Sequence, residues 1–190
     1  MANVGSGAIT PVHPEDYALL GYGAAKTVGN IAKSRAAKGA AKASRDIIPQ
    51  EYRTKIDNKV KIVQKDESLP SFVKDSFKDG NYRTVVTDED IVVYRVYGGS
   101  AKAEGGFVTT SPAKNKIQAK IDAALLPEWK NTRQFEADII IPKGTTINVG
   151  RVEEQIIREF GTVLKGDVDQ ILMPKDWPSS WIKSTRKVKP

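Results

Sequence analysis

Between Gly80 and Pro190 the sequence holds no histidine and no cysteine; the one histidine of the chain, His13, lies far upstream. A Ser-His-Asp triad, a Cys-His pair and a His/Cys metal site are therefore missing from this half. Arg, Lys, Thr, Ser, Tyr, Gln and carboxylates are left to carry any chemistry. Arg95 stands out first. It sits in Ile91-Val92-Val93-Tyr94-Arg95-Val96-Tyr97, where strand alternation puts it on the face of Ile91, Val93 and Tyr97. A guanidinium on a largely apolar face needs a partner. Its planar fork suits a phosphate, and a carboxylate such as Asp138 is the structural alternative.

Thr109-Thr110-Ser111 forms a second group, at the junction of a strand and a helix start. Hydroxyls beside the free N–H groups of a helix N-terminus can orient an anion, although Ser111 is also explained as a helix cap. Gln170 is the third candidate, since it shares a face with Val168 and Leu172 and so places an amide in apolar surroundings. Arg151, Lys165 and Lys143 are basic candidates for the border of the same sheet, and Lys102 lies on the glycine-rich loop from Gly98 to Gly106. Trp177 and Trp181 can stack on bases, but tryptophans at a chain end more often seal a core edge. No Walker loop, dinucleotide fingerprint or metal-ligand cluster is present, so no cofactor and no metal are expected.

The elements that must position these residues divide the chain near residue 80. Residues 1–79 read as a helical segment. Its stretch from Tyr17 to Ser44 is rich in Ala, Gly and Lys, with helix breaks at Gly29 and Gly39. Pro49 suits a first helical turn, and Tyr52, Ile56, Val60 and Val63 recur at helical spacing. Phe72, Val73 and Phe77 predict a short amphipathic helix ending at Asp79-Gly80. Residues 80–190 follow a period of two, with strands expected at 91–97, 107–110, 135–141, 146–149 and 168–173. One helix is expected from Ser111-Pro112 to Pro127, with Ile117, Ile121, Ala124 and Leu125 as its apolar stripe. This order gives an α+β fold: helices, then a small, mostly antiparallel five-stranded sheet domain.

The chain has 190 residues, 39% of them hydrophobic and 28% charged, as in a soluble globular protein. No apolar run approaches a membrane span, and no signal peptide is visible. The net charge of +7 favours a polyanionic partner, nucleic acid or an acidic protein surface.

Five phrases carry a resemblance: Tyr94-Arg95-Val96-Tyr97-Gly98-Gly99, Gly106-Phe107-Val108-Thr109-Thr110, Leu126-Pro127-Glu128-Trp129, Ile141-Pro142-Lys143-Gly144-Thr145 and Asp169-Gln170-Ile171-Leu172-Met173-Pro174. With the Ala/Gly/Lys-rich segment before them, they resemble the C-terminal toxin tips of CdiA-type contact-dependent growth inhibition proteins. The resemblance implies a secreted, cell-surface protein whose tip acts in the cytosol of a target bacterium. It also implies a cognate immunity protein, expected to be acidic, and leaves room for an inner-membrane receptor that takes up residues 1–79.

Two activities compete within that setting. The order of elements resembles the barnase, colicin-type and RelE-like ribonucleases, which implies metal-independent cleavage of tRNA. Arg95, Thr110, Gln170 and Lys102 would then be catalytic, with Thr109, Ser111, Arg151 and Lys165 binding the substrate. The same Arg95, Thr109-Thr110-Ser111 and Gln170 resemble the Arg, Ser-Thr-Ser and Glu elements of ADP-ribosyltransferases, with Gln170 replacing the carboxylate. That departure weakens transfer and leaves open an NAD glycohydrolase. Positive charge and the missing carboxylate place the ribonuclease first. A non-enzymatic module that docks an acidic protein is the third reading.

Overall fold

The computed structural model describes residues 47–190. The helical reading of Tyr17–Ser44 therefore lies outside the described residues. The observed fold is α+β and its sheets are antiparallel throughout. β1 (Val60–Ile62), β2 (Phe77–Thr87), β6 (Thr146–Val152), β9 (Asp169–Leu172) and β4 (Phe107–Val108) form one sheet in the order β1-β2-β6-β9-β4. β10 (Ile182–Lys187), β5 (Asn131–Ile141) and β3 (Ile91–Gly99) form a second, in the order β10-β5-β3, and β7 (Gln155–Ile157) pairs with β8 (Thr162–Leu164) in a hairpin. Two short helices are described, α1 (Ser71–Lys74) and α2 (Lys116–Asp122).

The main core lies between the two larger sheets. Val85, Ile147, Val149, Val108 and Ile171 face Ile91, Val93, Ala137, Ile139 and Ile141 across it. These residues alternate along their strands, so one face of each sheet is apolar. At one edge Trp177 and Trp181 stack with centroids 6.0 Å apart, and the Trp177 indole N–H donates to the Gly105 carbonyl at 3.2 Å. The tryptophans seal the core.

Three local expectations are corrected. Residues 50–63 form no long helix: a 3₁₀ turn spans Gln50–Tyr52, and Val60 already belongs to β1. Ile56 and Val60 are spaced as on a helix, yet they reach the core from a turn and a strand. What holds them there is Asp57. Its buried carboxylate accepts from the Thr54 N–H and hydroxyl at 2.8 and 2.6 Å and pairs with Arg83 of β2. The predicted helix around Phe72–Phe77 is one turn long, and Phe77 begins β2 instead. Asp79 and Gly80, with φ of 55° and 63°, form a bulge inside that strand between the pairs Phe77–Val152 and Tyr82–Gly150.

The third correction concerns Ser111. The helix starts at Lys116, with Asn115 as the cap, its side-chain oxygen accepting from the Gln118 N–H at 2.7 Å. A buried clamp prevents an earlier start. Glu136 of β5, 1% exposed, accepts from the Ala113 N–H at 2.5 Å, and Arg186 of β10 pairs with Glu136 while donating to the Ala113 carbonyl at 2.9 Å. Burial raises the Glu136 carboxyl above its ordinary value, against the lowering effects of the Ala113 N–H and Arg186.

Candidate functional site

β3 and β4 are edge strands of different sheets and meet at one bridge. The Tyr94 and Thr109 backbones exchange hydrogen bonds of 2.8 and 2.9 Å. Beside this junction a cleft opens. Phe107 and Thr109 of the β4 segment, Gln170 of β9, Ser76 from the turn before β2, and Leu125 and Trp129 from the connection after α2 line it, with Glu153 and Gln155 at the start of the hairpin. Its cavity volume is about 90 Å³. An apolar cavity of roughly 150 Å³ takes up benzene, so this one encloses less than a whole ring.

Strand register sets the polar floor of the cleft. Phe107 faces Leu172 and Val108 faces Ile171, after which Thr109 bridges to Tyr94 of β3, while β6 places Gly150 opposite Gln170. Gly150 has no side chain for a reason. A Cβ there would lie 2.7 Å from the Phe77 ring, which packs over this part of the sheet. Gln170, 7% exposed, donates from Nε2 to both the carbonyl and the hydroxyl of Ser76 at 3.0 Å. The Thr109 hydroxyl is buried and has no hydrogen-bond partner among the described residues.

Arg95 also lines the cleft, and it is held by backbone carbonyls. Nε donates to Lys102 at 2.8 Å and Nη1 to Phe107 at 2.7 Å, which ties the 102–107 loop to β3. Asp138 is not its partner; that carboxylate accepts from Ser184. Gly105 is required beneath the guanidinium, where any Cβ would collide with it.

The remaining sequence candidates fall elsewhere. Thr110 donates to Asp169, a buried carboxylate that also accepts from the Lys55 N–H at 2.9 Å and from Arg151 at 3.2 Å. Ser111 accepts from the Lys55 ammonium at 2.5 Å. Arg151 is enclosed by Asp167, Asp169 and the Arg53 carbonyl. Burial pushes the Asp167 carboxyl up, but hydrogen bonds from Arg151 and Lys78 outweigh it and hold the group below its ordinary value. Lys102 and Lys165 are exposed and lie outside the cleft lining. The structure thus brings Arg95, Thr109 and Gln170 together around one cleft and leaves Thr110, Ser111, Arg151, Lys102 and Lys165 apart from its lining.

Sequence reasoning did not single out Ser76, Trp129, Glu153 and Gln155. For Trp129 a signal existed in Leu126-Pro127-Glu128-Trp129, a phrase that forms a 3₁₀ turn ended by Lys130 at φ 50°. For Ser76 none existed, because its role depends on a partner 94 residues away. Among the described residues no cluster of His, Cys, Asp and Glu could hold a metal ion.

No family model matches the chain. No curated protein matches it either. Among solved structures, a chain from the complex of Tne2 with Tni2 superposes with a TM-score of 0.49 at 15% identity, covering 60% of this chain and 98% of that one.

Proposed function

We propose that the protein consumes NAD⁺, as a glycohydrolase that splits it with water into nicotinamide and ADP-ribose, and that the cleft beside the β3–β4 junction receives the nicotinamide ring. The observation that carries this reading is the character of the cleft. It is small and mostly apolar, and it has a few polar groups among its lining residues, as small-molecule sites do.

The chemistry suits a site without histidine. The C–N glycosidic bond breaks with its electron pair moving onto the pyridinium nitrogen, which becomes neutral. The leaving group therefore needs no general acid. Water adds to the ribose carbon and releases one proton. An apolar enclosure favours the neutral ring over the cationic one, so sheltering the nicotinamide from solvent itself promotes departure. Phe107, Leu125 and Trp129 provide that shelter.

The ribonuclease alternative needs cations gathered where a phosphate can reach them. Here Arg95 serves two carbonyls, Arg151 serves two aspartates, and Lys102 and Lys165 lie outside the lining. The setting we propose is that of an interbacterial toxin tip, acting in the cytosol of a target cell and held in check by an immunity protein. The five phrases quoted above support it.

The test uses the full chain, incubated separately with NAD⁺ and with total RNA. Release of nicotinamide with intact RNA is expected. Fragmented tRNA with intact NAD⁺ would return the ribonuclease to first place, and survival of both substrates would favour a binding module.

A further inference from the structure

We infer that the free edge of β10 is a docking site for an extended, acidic segment of a partner protein, which adds to the β10-β5-β3 sheet as a further strand. β10 lies outside the cleft lining, so the inference goes beyond the reading of the cleft and does not rest on it. Its starting point is the unpaired side of the strand. β10 is bonded to β5 on one side, and among the described residues no strand pairs with the other. Every residue from Lys183 to Lys187 is exposed. In an antiparallel strand alternate residues turn their N–H and C=O groups to opposite sides, so every second residue here points its pair away from the sheet. Such a row is a template for a further strand.

Charge decides which strand can use the edge. No acidic residue follows Asp176, whereas Lys183, Arg186, Lys187 and Lys189 all do. The carboxylates of β5 are taken on one face, where Asp138 accepts from Ser184 at 2.7 Å and Glu136 pairs with Arg186. Alternation puts Lys187 on the opposite face, with Lys189 after it. Among the described residues neither lysine has a carboxylate partner, and Lys183 donates to the Ser180 carbonyl at 3.0 Å. Two occupants are mismatched to this edge. A second copy would set the lysine-bearing edge against itself, and like charges facing each other across a strand pair are destabilising. The chain's own stretch from Tyr22 to Arg45 carries six Lys and Arg residues and no acidic one. The lysines thus guard the edge against copies of the chain, and they select a strand with carboxylates at alternate positions. A row of backbone donors and acceptors favours a polypeptide over a nucleic acid, which has no such row to offer in return.

The experiment titrates the isotope-labelled full chain with a capped peptide, Glu-Val-Glu-Thr-Glu-Val-Glu, and follows amide shifts and hydrogen exchange. The controls are the same peptide N-methylated at every residue, which keeps the charge and removes the donors, its counterpart Lys-Val-Lys-Thr-Lys-Val-Lys, and a uridine oligonucleotide. The acidic peptide should shift the amides between Lys183 and Lys187 and slow their exchange. The methylated and lysine peptides should each bind about tenfold more weakly or worse. A chain carrying Lys183→Glu, Lys187→Glu and Lys189→Glu should reverse the order and prefer the lysine peptide; an unchanged melting curve shows that it is folded, and if it melts early the peptide comparison on the unaltered chain decides. Equal binding of the methylated peptide overturns strand addition. So does a folded triple variant that keeps the preference for the acidic peptide. An acidic peptide that leaves the β10 amides unshifted, while the oligonucleotide moves them, overturns the inference and assigns the edge to nucleic acid.

Discussion

Arg95 lines the cleft and also holds the loop beside it. Its guanidinium lies on the core-facing side of β3, 7% exposed, and two of its nitrogens are bonded to the carbonyls of Lys102 and Phe107. Those carbonyls belong to the loop that delivers Phe107 to the cleft. Charge-assisted hydrogen bonds of this kind are each worth about 1.5–3 kcal/mol. Arg95→Ala should therefore lose about 3–5 kcal/mol of stability, together with activity, rather than activity alone. Urea unfolding checks this through a lower midpoint at an unchanged slope. Arg95→Lys should lose nearly as much, because one ammonium cannot reproduce the fork that reaches both carbonyls. A variant that kept its unfolding midpoint while losing turnover would assign Arg95 to the chemistry as well.

At the scale of elements, two contacts hold the segments around the cleft. Gly105 lets the 102–107 loop close over Arg95, and a methyl group there meets the guanidinium directly. Gly105→Ala should cost about 1–3 kcal/mol, the usual range for overpacking a filled site, seen as a lower melting temperature. The Glu136 clamp sets where α2 begins and titrates in a defined direction. Its carboxyl is raised in the folded protein, so the folded state binds more protons than the unfolded one between the ordinary glutamate value and the raised value. Its contribution to stability is whole below that window and declines as pH rises through it. Glu136→Gln should flatten this part of the curve of melting temperature against pH; an identical decline in the variant would assign the effect to other groups. The strands at this scale were largely legible. Ile91–Tyr97 and Phe135–Ile141 alternate β-branched and apolar residues because one face of each meets the core. β10 was not, because Ile182–Lys187 is an exposed, charged edge strand with no apolar alternation. The site was legible in part for the same reason. Arg95 and Gln170 are polar residues on apolar faces, whereas Ser76 and Trp129 arrive from turns that only the tertiary fold brings to the cleft.

At the scale of the whole molecule, the segment before residue 80 packs into the sheets that follow it. Ile56 and Val60 are 3% and 2% exposed and belong to the main core, and β1 covers the edge of β2 from Val85 to Thr87. Asp57 is the critical link, since it faces Arg83 in a buried pair and also holds Thr54. Removing one member of such a pair leaves an uncompensated buried charge, at a cost of about 3–5 kcal/mol. Asp57→Ala should lower stability by that amount. A chain starting at residue 80 loses Asp57, β1 and the buried side chains of Ile48, Ile56, Val60, Val73 and Phe77 together. Domains of this size have only about 5–15 kcal/mol in hand, so the shortened chain should lack a cooperative urea transition and near-ultraviolet dichroism. It should then also fail to bind nicotinamide, although every cleft residue except Ser76 is still present. If the shortened chain instead unfolds sharply at the midpoint of the full protein, residues 47–79 are dispensable to the fold and the Asp57–Arg83 pair contributes little to holding it.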